Sequence, residues 1–230
     1  MTAGSYAERC SSLLPGVVWT RAGEAGRFVV TPDGCMDLIW DGDTLLVAGP
    51  DTGPVVGSSA TPRSWSAVRL DPGVAPSLLG LPAHPLADLR VPLRDLWPRP
   101  VVDAWSERLA SADDPAAILE ELVAQGLRAS EPIPGWVPAV AHRLATGHTV
   151  AQTADAVGVT GRQLHRRSVE RFGYGPKVLQ RVLRLVAAQR DLRLGLPAAE
   201  TATRHGFSDQ PHLHRELRRL TSSGTTSTRR

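Results

Sequence analysis

The chain repeats itself once, and that repeat limits its fold more than any other feature. Val150–Val159 (VAQTADAVGV) matches Ala198–Phe207 (AAETATRHGF) at a spacing of 48 residues. Past the glycine the spacing becomes 49, so Leu164-His165-Arg166 aligns with Leu213-His214-Arg215. The second turn is therefore one residue longer. Each copy reads as helix, glycine turn, helix, an arrangement that offers its second helix to a DNA major groove. One such pattern is a weak signal, but two in tandem, joined by a helical run, rarely arise by chance.

The second copy shows the chemistry most plainly. Ser208 or Asp209 can cap a helix by accepting a bond from an early backbone N–H. Pro211 falls in the first turn, where N–H groups lack intrahelical partners anyway. Leu213, Leu217 and Leu220 form one apolar face. Gln210, His212, Arg215 and Arg219 point elsewhere. Taken alone, this helix fits a solvated surface as well as a groove; the repeat decides for the groove.

Charge divides the chain in the same way. Residues 1–135 hold 10 Arg against 17 Asp and Glu, a net of −7, while residues 136–230 hold 15 Arg and Lys177 against 6 acids, a net of +10. A basic half of this size is an electrostatic footprint for phosphates. Arginine bias explains the near absence of lysine, but not why the charge sits in one half.

The acidic half reads as β-rich. Phe28–Val30, Met36–Trp40, Thr44–Ala48, Val55-Val56 and Trp65–Leu70 are short apolar runs separated by turn signals such as Thr31-Pro32-Asp33-Gly34. Val74–Leu81 reads as a further strand and residues 5–20 as an irregular lead-in that runs into a strand. The expected architecture is an antiparallel sandwich or barrel over 1–100, in an α+β chain whose C-terminal half is all-α. Residues 101–130 turn helical, with helices at Asp103–Ala110 and Pro115–Leu127 that either cover the β domain or mediate dimerisation. Glu131-Pro132-Ile133-Pro134-Gly135 is a linker. A helix near Pro138–Thr146 opens the second domain, 136–230, and a connecting helix runs from Lys177 to about Leu194. At ~1.5 Å per residue the latter is about 27 Å long, enough to hold two readers near one DNA turn apart.

Residues 136–230 resemble the DNA-binding domain of the AraC/XylS family of bacterial transcription regulators. The resemblance rests on Ala151–Ala154 with Gly158, Leu164-His165-Arg166, Gly173-Tyr174-Gly175-Pro176, Arg181 and Arg184 on the connecting helix, and Gly206–Gln210 with His212-Leu213. Three positions depart from the family: Ser168 stands at a usually aromatic core position, Ser222–Thr225 replaces a Gly-x-x-Pro, and Pro211 is unusual. The β-rich half, through Val30–Trp40, Val47–Pro50 and Val68–Gly73, is similar to an uncharacterised N-terminal type found in such regulators.

The resemblance implies sequence-specific binding of double-stranded promoter DNA. The first recognition helix would present Arg162, His165 and Arg166 to base edges, and the second Gln210, His212 and Arg215. Arg167, Arg171, Arg181, Arg184, Arg218 and Arg219 are assigned to phosphate or solvent. Leu164, Phe172, Phe207, Leu213 and Leu217 read as core. A small-molecule effector in the N-terminal half, a homodimer, and RNA polymerase in the case of an activator are the further partners implied.

Other functions fit less well. Six of the seven histidines lie in the basic half, and none has metal-ligand spacing, so no metal or cofactor is expected. No spacing supports His84, Cys35 and Asp37 as a nucleophile set. Cys10 and Cys35 read as free thiols of a reducing cytoplasm. No run of 18 apolar residues suggests a membrane span, and no signal peptide is visible. The remaining alternatives are a small-molecule-binding module whose DNA-binding domain has become non-specific, and an enzyme with a regulatory DNA-binding tail.

Overall fold

The computed structural model describes residues 5–221 except 24 and 60; the Ser222–Thr225 segment and the Leu220 side chain lie outside that description. Among the described residues the strands are β1 (Ser5–Cys10), β2 (Gly16–Gly23), β3 (Gly26–Val30), β4 (Met36–Trp40), β5 (Leu45–Ala48), β6 (Val55–Ser59), β7 (Arg63–Leu70) and β8 (Arg90–Pro92). Six pair antiparallel in the order β1-β2-β7-β4-β5-β8, while β3 and β6 form a separate two-stranded ladder. Alternation fixes the faces. Val18, Leu38, Trp40, Leu45, Val47, Val68 and Leu70 are buried on one side. Val17, Arg69 and Asp37 are paired in register, so they share the other.

The helices are α1 (Ala75–Leu79), α2 (Arg99–Ala110), α3 (Pro115–Ala129), α4 (Trp136–Ala145), α5 (Val150–Ala156), α6 (Gly161–Phe172), α7 (Pro176–Arg193), α8 (Ala198–Arg204) and α9 (Gln210–Thr221). Asp114 Oδ1 caps α3 by accepting from the N–H groups of Ala116 and Ala117. Leu119, Leu122 and Val123 of that helix join the sheet's buried face in one core. Residues 101–130 thus cover the β domain. Glu120, buried on α3, is held by Arg9 Nη2 at 2.5 Å and Ser11 Oγ at 2.6 Å, and the hydrogen bond from Arg9 holds its carboxyl below the usual range.

Two sequence expectations need correction. Val74–Leu81 contains a helix, not a strand. Pro76 fits its first turn, Gly80 ends it at φ 70°, and all of Ala75–Leu79 is buried. An apolar run buried on every side carries no period with which to tell helix from strand. The lead-in contains β1, an exposed edge strand held by its ladder with β2 rather than by apolar side chains. β8 contains Pro92, a residue tolerated at a sheet edge, and pairs with β5.

The two halves are in close contact. The Ala83 N–H donates to the Glu170 carbonyl at 2.7 Å. Arg171 Nη1 donates to Ser77 Oγ at 3.1 Å. Gly173 ends α6 at φ 82°, and a Cβ there would lie 2.4 Å from Pro50 Cγ, so both the backbone angle and the packing require glycine. Tyr174 is buried beside Gly34 of the β3–β4 loop, whose Cβ would sit 3.6 Å from the Tyr174 oxygen.

Candidate nucleic-acid interface

Each repeat folds as helix, turn, helix, with four residues between α5 and α6 and five between α8 and α9. In the first module, capping boxes start both helices: Thr149 with Gln152, and Thr160 with Gln163. Its core joins Leu164, Phe172 and Tyr174 to Val137, Val140 and Leu144 of α4 and to Leu179 and Leu183 of α7. Trp136 meets Phe172 edge-on at 6.2 Å between centroids. This packing fixes α6 and leaves Arg162, His165 and Arg166 exposed.

The second module has a smaller core, made of Leu185 and Ala188 from α7 with Ala202, Phe207 and Leu213. Asp209 Oδ1 accepts from the His212 N–H at 2.6 Å and so caps α9. Polar contacts do the rest. Arg184 Nε donates to the His205 carbonyl at 2.7 Å and Nη2 to the Gly206 carbonyl at 2.6 Å, with its guanidinium 4.7 Å above the Phe207 ring. His205 Nε2 lies 2.9 Å from Asp191 Oδ2, and Arg204 Nη1 reaches the same oxygen at 3.2 Å. The bond to His205 is the main reason the Asp191 carboxyl sits below the usual carboxylate range.

The base-facing candidates fall on the two second helices. Gln210 and Arg215 are exposed like Arg162, His165 and Arg166. His212 is half-buried: its Nδ1 lies 3.0 Å from Ser208 Oγ and its ring stands edge-on to Phe207 at 5.6 Å.

The six remaining arginines are scattered rather than gathered. Arg167 lies 5.8 Å over the Trp136 ring. Arg171 faces Ser77 of the N-terminal half, and its burial lowers its pKa. Arg181 Nη2 is 3.5 Å from the Thr52 carbonyl oxygen. Arg184 is the clamp just described. Arg218 Nε lies 3.3 Å from the His214 carbonyl oxygen, and Arg219 pairs with Glu216 on α9 itself. Sequence reasoning did not single out Arg184 as the clamp. The available signal was its place on the connecting helix, 22 residues before a glycine turn whose carbonyls need donors.

A second polar set lies on the sheet face opposite the core. Trp19 Nε1 donates to Asp37 Oδ1 at 2.6 Å, and Arg69 Nε lies 3.3 Å from Asp37 and 3.0 Å from Asp33. Burial raises the Asp37 pKa to about 6 against the pull of Arg69. Burial also raises the Cys35 thiol well above its usual value and, with Asp33 nearby, raises Tyr174. Among the described residues, no group of three or more His, Cys, Asp or Glu could hold a metal ion. No described helix is long and apolar enough to cross a membrane.

Residues 153–230 match the model of a helix-turn-helix domain family, and residues 16–92 match a domain of unknown function (DUF6597). Among solved structures, the chain is similar to ToxT from Vibrio cholerae O395, with 9% identity, 94% of each chain covered and a TM-score of 0.47. It is also similar to that protein bound to (E)-4-(8-methylnaphthalen-1-yl)but-3-enoic acid, at 8% identity over 94% of this chain and 95% of that one, with a TM-score of 0.49. Unsaturated fatty acid bound wild-type ToxT from V. cholerae strain SCE256 gives 10% identity, 96% and 92% coverage, and a TM-score of 0.43. No curated protein matches the chain.

Proposed function

We propose, from the helix-turn-helix domain match over residues 153–230, that the chain is a sequence-specific transcription regulator of the AraC type, reading adjacent major grooves with α6 and α9. One observation carries this reading. Arg162, Arg166, Gln210 and Arg215 are exposed, and none of their side chains makes a hydrogen bond or ion pair among the described residues. They lie on two second helices joined by the single rod α7. Arginine can bond guanine O6 and N7 together, and glutamine adenine N6 and N7.

In this reading residues 136–230 bind DNA in the cytoplasm, while 1–100, covered by 101–130, sense an effector. The polar set of Trp19, Asp37, Arg69 and Asp33 is the favoured sensing position. It shares the β3–β4 loop with Gly34, which abuts Tyr174 at the head of α7, so a change there has a packed route to the first module.

The test is substitution on a selected operator. Arg166→Ala or Arg215→Ala should each cost about 1–3 kcal/mol on the cognate duplex and relax preference at particular base pairs. An equal loss on all sequences would make these residues phosphate contacts and defeat the reading.

A further inference from the structure

An open cleft of about 950 Å3 separates the two modules. Thr149 and Gly161 line it from the first module, Arg204 and His205 from the second, and Lys177 and Arg184 from α7. No carboxylate is among the described residues that line it. Of the Lys and Arg side chains among its described lining residues, Arg184 is occupied by the His205 and Gly206 carbonyls and Arg204 by Asp191 and Glu200. Lys177 is exposed and has no partner among the described residues.

The placement of Lys177 is unusual on two counts. It is the single lysine of a chain that otherwise uses arginine for its positive charge. It also sits in the first turn of an 18-residue helix with no acidic residue there. The helix dipole opposes a cation at that end, so folding gains nothing from the charge. An ammonium is a compact point charge on a flexible stem, suited to a phosphate oxygen without the planar match an arginine needs.

We propose that this cleft seats the sugar-phosphate backbone crossing between the two major grooves, with Lys177 as its phosphate contact. This rests on the reading of α6 and α9 as groove readers. Two helices in successive grooves leave a strand of backbone to pass the gap between them. A contact there fixes position and carries no sequence information.

The experiment compares full-length wild-type protein, Lys177→Gln and Lys177→Arg on two duplexes of equal length, one selected and one scrambled, over a range of salt. Lys177→Gln should weaken both duplexes by the same several-fold factor and lower the slope of log affinity against log salt by about one. Lys177→Arg should restore the salt slope on both duplexes, because it returns the charge. The thermal midpoint of Lys177→Gln should not fall, because no protein contact is lost. Unchanged affinity and slope, or weakening confined to the selected duplex, would overturn the proposal. The parent reading fails separately: wild-type protein that binds both duplexes equally refutes sequence reading, yet the effect of Lys177→Gln stays measurable on either. Wild-type protein that binds neither overturns both.

Discussion

The two modules share a sequence pattern but not a means of support. The first is built into the molecule. Its helices start with capping boxes, its core carries Phe172 and Tyr174, and Pro50, Gly73 and Ala83 of the N-terminal half press on or bond to its far side. The second rests on α7 through a small apolar cluster and the Arg184, His205 and Asp191 contacts. No side-chain cap starts α8, where Pro197 occupies the position held by Thr149 in the first copy. A repeat thus specifies local form, while its surroundings decide how firmly each copy is held.

The largest expected effect is in the core of the first module. Phe172→Ala should cost about 3–5 kcal/mol and shift the main thermal transition of the chain, because Gly73 of the other half packs on the same ring. Phe207→Ala should melt the second module and leave the main transition in place. Equal shifts of one transition in both variants would erase the distinction between the modules.

Next is the clamp. Arg184→Ala removes two charged hydrogen bonds and should loosen the second module by about 2 kcal/mol, read as faster amide exchange over 205–213 and loss of the half-site read by α9. Arg184→Lys should not restore it, since one ammonium does not span two carbonyls in the same geometry. Full rescue by lysine would reduce the residue to a simple charge.

Stability of the N-terminal half should also depend on pH, through Asp37. Its folded pKa is raised, so between the unfolded value near 3.8 and about 6 the native state binds more protons than the unfolded one. The contribution of this group is complete below that window and is lost as pH rises through about 6, on the order of 2 kcal/mol. Asp37→Asn should remove this component from the stability profile, measured by denaturant unfolding from pH 4 to 8. An unchanged profile would show that Arg69 compensates fully.

The smallest effect is at Ser168, whose repeat counterpart is Leu217. The Ser168 hydroxyl is fully buried and makes no hydrogen bond among the described residues. Ser168→Ala should stabilise the first module by about 0.5–1 kcal/mol in thermal unfolding, and a loss of similar size would reveal an acceptor for that hydroxyl.

What the sequence disclosed was local. Capping by Asp209, the longer second turn and the apolar spacing of Leu164 and Leu213 are set within a few residues of one another. The β4, β5 and β7 runs were visible because each has an apolar core face. β1 was not, since its side chains are exposed and only backbone pairing defines it. Docking of the halves was hidden for a different reason. Pro50 against Gly173 and Ala83 against Glu170 join residues far apart in the chain, and nothing in either stretch names its partner. Arg184 illustrates the same limit in the site: sequence reveals a cation but not the carbonyls that occupy it.

The most direct test of a tandem groove reader is selection of bound sequences from random duplex DNA by the full-length protein at two salt concentrations. The expected result is an enriched motif with two half-elements about one helical turn apart, retained at the higher salt. Binding without enrichment, vanishing as salt rises, would contradict it and leave a basic domain that holds DNA without reading it.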